Sequence, residues 1–90
     1  MIYFDNSATT FKKPREVINA VIGGLTKYNA NPGRSGHKMS LKTAEKIEEV
    51  RQKVCEFVNS PSAIFTQNCT DALNLGILGS FVEGGHIICS

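Results

Sequence analysis

The chain has little charge of one sign. Ten Lys plus Arg against eight Asp plus Glu leave a formal net charge of +2 over 90 residues, too weak a field to mark a nucleic-acid or membrane binder. Lys12, Lys13 and Arg15 do cluster, but a solvated entry into a helix explains them better than a phosphate-tracking patch. Neither nucleic acid nor a membrane is expected as a partner. Cysteine pairing is also missing. Cys55, Cys69 and Cys89 are odd in number and widely spaced, so they suit neither a disulfide framework nor a paired-cysteine zinc motif, and a reducing, cytosolic setting is the natural expectation. His86 and Cys89 have no ligand partners at suitable spacing, so no metal is expected. No basic stretch with a long apolar run behind it opens the chain, and no apolar run approaches membrane-spanning length; a soluble, unexported protein follows. Internal repeats, low-complexity segments and linkers are absent as well. What remains, 41% hydrophobic and 20% charged residues, is ordinary globular composition with room for one small domain.

Three stretches divide that domain. Residues 1–13 begin with Ile2-Tyr3-Phe4 and continue into Asp5-Asn6-Ser7-Ala8-Thr9-Thr10, small and polar residues that make an arm or loop. Residues 14–58 read as two helices. Pro14 is well placed as a first helical residue, and Val17, Val21, Leu25 and Tyr28 recur at helical spacing, so the first helix runs about Pro14 to Tyr28. Gly23-Gly24 inside it cost about 1 kcal/mol each relative to Ala, which points to close packing or a kink. The turn-rich segment 29–37 is a loop. Ser40 can cap the second helix, about Leu41 to Val58, where Ala44, Ile47, Val50, Val54, Phe57 and Val58 form one apolar stripe and Glu49 can pair with Lys53. Residues 59–90 read as strand, helix, strand: a buried strand at 63–66, a polar turn at 68–71, a helix to Gly79, and a second strand from His86 to Cys89 after Gly84-Gly85.

A strand, a polar turn and a helix in that order can make an anion site, because the first N–H groups of a helix lack internal partners and point from its positive end. Asn68-Cys69-Thr70 is where a phosphate could sit, with Thr70 adding a hydroxyl and Asn68 able to adopt a left-handed conformation. An ordinary helix cap explains the same residues. Cys55, beside Phe57 and Val58, reads as a buried, unreactive thiol. Cys69 has a chemical argument, since a helix N-terminus lowers a thiol's pKa.

The strings YFDNSATT, KP, NPGRSGH, a Ser-started helix ending in RQKVCEFV, IFTQNCTDALNLGILG and GGHII occur in the order and spacing of a known family. Over essentially its whole length the chain resembles the cysteine desulfurases and class V aminotransferases, enzymes that use pyridoxal 5'-phosphate (PLP). The resemblance implies an α/β fold, in which this chain would be the N-terminal slice (arm, three helices, two short strands) of a large domain built on a mostly parallel sheet. In that family the turn before the third helix reads Gly or Ser, Ala or Thr, Thr, Glu, and holds the PLP phosphate. Here it is Asn68-Cys69-Thr70-Asp71, so the resemblance implies backbone donation by Cys69 and both N–H and hydroxyl donation by Thr70. Asn68 and Cys69 depart from the family pattern. By the same resemblance Asn6, Ser7 and Ala8 line the substrate side, and Arg34 and His37 belong to an active-site loop, where a cation can meet a carboxylate and an imidazole can exchange protons.

PLP catalysis needs a lysine that holds the cofactor covalently, a carboxylate facing the ring nitrogen and a group stacked on the ring. In the family all three lie downstream of this segment, as does the persulfide-carrying cysteine, and none of Lys12, Lys13, Lys27, Lys38, Lys42, Lys46 and Lys53 matches the lysine motif. No catalytic residue is therefore expected here. The chain alone should be inactive, part of a parent that removes sulfur from cysteine and passes it to an acceptor protein. Transamination and selenocysteine cleavage remain open for the parent, as does a free-standing anion-binding or interaction module. With partners for its strands and apolar faces missing, the chain is expected to form a homo-oligomer.

Overall fold

Pro14 ends the arm and starts the first helix from outside it. In a computed structural model that describes residues 1–34 and 36–90, Pro14 is extended at ψ 146 and forms the N-cap, and α1 runs Arg15–Lys27. The expected first helical position is thus one residue later. α1 runs through Gly23 and Gly24 without a break, and a Cβ on either would meet nothing within 4 Å, so neither serves close packing. The arm folds on itself through Asn6, whose Nδ2 donates to the Tyr3 carbonyl at 3.1 Å and whose Oδ1 accepts from the Phe11 N–H at 3.2 Å.

The second helix, α2, runs Lys38–Val58, three residues longer at its start than the spacing of apolar residues suggests. Ser40 is not its cap. His37 is, with its ring accepting from the Ser40 N–H, because the serine hydroxyl is engaged elsewhere. The helix ends at Asn59 in the left-handed region, φ 51, where asparagine is tolerated; the Ser60 N–H then reaches back to the Cys55 carbonyl at 2.9 Å.

Along the solvent face of α2 the expected pair forms, Lys53 Nζ to Glu49 Oε1 at 2.6 Å, and Lys46 joins it at 2.7 Å. The hydrogen bonds from Lys46 and Lys53, with their charges, pull the Glu49 carboxyl down to about 2, while the same contact raises Lys46. A carboxyl lowered from its ordinary 4.5 supports the helix above that pH, and the support is lost as pH falls toward about 2. Both partners are solvent-exposed, so the effect is local and salt-sensitive. Circular dichroism of a peptide spanning Lys38–Val58 should show helicity falling with acid over that window, and Glu49→Gln should remove this part of the fall. Identical acid titrations of the two peptides would refute the assignment.

Beyond α2, Ala63 is held by Arg51, whose guanidinium donates to its carbonyl and lies 4.9 Å from the Phe65 ring centroid. The third helix, α3, runs Cys69–Gly79. Gly84 then turns the chain at φ 79, with the Gly85 N–H donating to the Val82 carbonyl at 2.9 Å.

No strand forms among the described residues. The segments 63–66 and 86–89, expected to be strands, carry no ladder and no other regular structure, since a strand exists only when a neighbour accepts and donates along its edge. The helices do not pair either: none comes within backbone contact range of another, and between α1 and α2 lies an open groove of about 810 Å³ lined by Ala20, Gly23, Ile47, Val50 and Phe65 among others. Tyr28 bridges part of it, with Lys42 Nζ 5.3 Å from its ring centroid. No apolar side chain is buried among the described residues; Val54 of the α2 stripe is 37% exposed and Phe57 91%. Cys55, expected to be buried, is half-buried. The radius of gyration is 17.9 Å, against roughly 12–13 Å for a compact domain of this length.

Candidate functional site

Asn68 builds the start of α3. Its backbone is extended, φ −158, not left-handed as the sequence allowed, and its Oδ1 accepts from the Asp71 N–H at 2.8 Å. The Asn68 carbonyl accepts the first helical bond from Ala72 at 3.2 Å and a second from the Thr66 hydroxyl at 2.9 Å. An N-cap in extended conformation has no need of glycine, and asparagine is among the best side chains for it. The sequence carried this signal in Asn68-x-x-Asp71, a polar cap three residues before an acidic one.

With Asp71 satisfied by the cap, the N–H groups of Cys69 and Thr70 are the two in the first turn with no acceptor among the described residues. Both residues are exposed. The Thr70 hydroxyl makes no bond to the protein among the described residues. Two free N–H groups, a free hydroxyl and the positive end of an eleven-residue helix can bind an anion of phosphate type. Asp71 in the same turn already answers part of that dipole. No Lys or Arg side chain bonds to residues 68–71 among the described residues, so neutral donors would do the binding.

The other expected site residues stand apart from this turn. Asn6 lines a small pocket with Met1, Tyr3, Thr10, Phe11 and Lys12, which holds none of Arg34, His37, Cys69 or Thr70. Ser7 and Ala8 are exposed in a bend of the arm. Arg34 is exposed and has no ion-pair partner among the described residues. His37, read as a proton-exchanging group, has its Nδ1 engaged at 3.2 Å by the Ser40 N–H. Ser40, which the sequence marks only as a cap, is the most buried side chain described, 1% exposed. Nothing local in the sequence marks it, since its partner Asn31 lies nine positions away. Among the described residues no three His, Cys, Asp or Glu side chains converge as a metal site would require.

Comparison with known proteins adds to this geometry. The family described as aminotransferase class-V matches residues 2–90. A probable cysteine desulfurase of Borreliella burgdorferi is 46% identical over 77 residues, covering 82% of this chain and 18% of the relative. The probable cysteine desulfurase of Streptomyces coelicolor is 41% identical, covering 83% of this chain and 18% of the relative. That of Pyrococcus abyssi is 40% identical, covering 98% and 23%. The chain thus spans about a fifth of the length of the curated relatives it matches. No solved structure matches.

Proposed function

The chain belongs to the class V aminotransferase family, and from that premise we propose that it is the amino-terminal part of a PLP-dependent enzyme that removes sulfur from L-cysteine. The observation that carries this reading is the first turn of α3, where capping by Asn68 leaves the Cys69 and Thr70 N–H groups and the Thr70 hydroxyl free to bind. These donors fit a phosphate: all are exposed, and none has to break a bond to the protein among the described residues in order to accept one. PLP, when bound, supplies an electron sink to the amino-acid substrate. The chain's own contribution is to hold and orient. Cys69 and Thr70 anchor the cofactor phosphate, Asn68 keeps their donors aligned, and Asn6, Ser7 and Ala8 form a small-residue wall on the substrate side. Arg34 offers its guanidinium to the substrate carboxylate, a geometry in which two parallel hydrogen bonds add strength and direction. The unpaired cysteines suit a reducing, cytoplasmic setting, and a sulfur-acceptor protein is the partner this chemistry calls for.

The full-length protein, purified with PLP, should release sulfide from L-cysteine in the presence of a thiol reductant. Amino transfer to a 2-oxo acid without sulfide release would instead mark an aminotransferase, and preference for selenocysteine a selenocysteine lyase. Neither activity, with phosphate binding retained, would favour an anion-binding module.

The 90-residue chain should be inactive by itself. Its lysines are engaged otherwise or exposed: Lys13 donates to the Thr10 carbonyl, Lys46 and Lys53 to Glu49, and Lys42 lies over Tyr28. Titration with stoichiometric PLP should therefore give no saturable absorbance band assignable to one lysine, and mass spectrometry should find only scattered surface adducts. A single saturable lysine adduct would overturn this expectation.

A further inference from the structure

Arg51 makes the longest-range side-chain hydrogen bond among the described residues, across 12 positions, from Nη1 to the Ala63 carbonyl. Its Nε donates to Glu48 Oε2 at 3.1 Å, and its guanidinium carbon lies 4.9 Å from the Phe65 ring centroid. A planar guanidinium can serve a carboxylate, a carbonyl and an aromatic face at once, which an ammonium cannot. No helix comes within backbone contact range of another, so this side chain carries a tie between α2 and the segment that leads into α3. That segment ends in a second tie. The Thr66 hydroxyl donates to the Asn68 carbonyl at 2.9 Å, the same oxygen that accepts the first helical bond from the Ala72 N–H at 3.2 Å. With its carbonyl held from both sides, Asn68 stays extended, φ −158, and its Oδ1 reaches the Asp71 N–H at 2.8 Å. Arg51 and Thr66 are not themselves donors of the first turn of α3; both act on the backbone that presents those donors.

We infer that Arg51 and Thr66 are positioning residues for the anion-binding turn. Arg51 fixes the approach at 63–65 on α2, and Thr66 fixes Asn68, so that the N–H groups of Cys69 and Thr70 and the Thr70 hydroxyl are presented as one set. The inference rests on the reading of that turn as the seat of the cofactor phosphate. Its physical basis is preorganisation: donors held in place before the anion arrives lose less conformational freedom on binding it.

The test uses the full-length protein and three readouts besides activity: PLP retention on dialysis, the melting temperature of the PLP-free protein and amide hydrogen exchange. Thr66→Val, which keeps the shape and removes the hydroxyl, should weaken retention about fivefold, the effect of one ordinary hydrogen bond, and Thr66→Ser should restore it to within about twofold of wild type. The melting temperature should hardly move in either, because the Asn68 carbonyl keeps its helical bond and the residue is exposed to water. Arg51→Ala should weaken retention at least as much as Thr66→Val, and Arg51→Lys, which keeps one donor but no flat face, should fall between Arg51→Ala and wild type. Unchanged retention in Thr66→Val, or Thr66→Ser as weak as Thr66→Val, would overturn the role of Thr66. Retention lost only in step with the melting temperature would make both residues merely structural and overturn the inference. Should Arg51→Ala fail to fold, Arg51→Lys and the exposed Thr66 pair still decide. Exchange is read without the cofactor: the Asp71 and Ala72 amides should be protected in wild type and Thr66→Ser and exchange about fivefold faster in Thr66→Val; equal rates in all three would overturn the tie. If the wild type retains no PLP, the functional reading fails separately, and exchange still judges the tie.

Discussion

Replacing Thr70 by Ala in the full-length protein is expected to weaken PLP retention by roughly tenfold to a hundredfold, while the melting temperature of the PLP-free protein stays nearly constant. The loss corresponds to one hydrogen bond to a charged group, about 1.5–3 kcal/mol. Little else should change, because the hydroxyl makes no bond to the protein among the described residues and so leaves no partner unsatisfied. Alanine is also the better helix former inside a first turn. Cys69→Ala should do less, since its proposed contribution is the main-chain N–H, which every residue but proline supplies. Asn68→Ala should act differently from both. It removes the acceptor of the 2.8 Å bond to Asp71, costing about 1 kcal/mol of helix stability, so retention and melting temperature should fall together. Retention is read by dialysis against PLP-free buffer and the absorbance that remains. Unchanged retention in Thr70→Ala would rule out the phosphate role of this turn.

The second large effect concerns the 90-residue chain on its own, which should self-associate or lack cooperative unfolding. Its accessible surface is 8505 Å², whereas a compact monomer of this size exposes roughly 5,200 Å². Much of the difference is apolar: Phe4, Phe57 and Ile88 are each more than nine-tenths exposed. The segments 63–66 and 86–89 also carry N–H and C=O groups that no ladder satisfies among the described residues. A second copy can cover such surface, and so can downstream chain in the full-length protein. Sedimentation equilibrium over a wide concentration range should show mass rising with concentration, or else thermal scans should show no sharp transition. A monomer that unfolds cooperatively at every concentration would show that this chain closes its own core, and would favour the independent-module reading.

What could be read from residues alone was whatever neighbours in sequence decide. The helices followed from apolar spacing and from stop signals such as Asn59-Ser60-Pro61, and all three exist in the structure, with starts displaced by one to three residues. The Glu49–Lys53 pair followed from one helical turn of separation and stands at 2.6 Å. The family followed from ordered strings along the whole chain, and the class V match over residues 2–90 agrees. Where distant groups compete for one residue, local rules failed. Ser40 looked like the cap of α2, but Asn31 takes its hydroxyl and His37 takes the capping place, a swap that depends on how the loop folds back. Asn68 looked able to adopt a left-handed turn, but capping Asp71 held it extended. The strands were the clearest limit: residues 63–66 and 86–89 have the composition of buried strands, yet composition supplies only one side of a ladder. Sequence determines which segments are able to pair or pack, since that is a property of side chains and their spacing. Whether they do is decided by which surfaces are brought against them, and here the groove between α1 and α2 remains open and neither strand-prone segment has a ladder among the described residues.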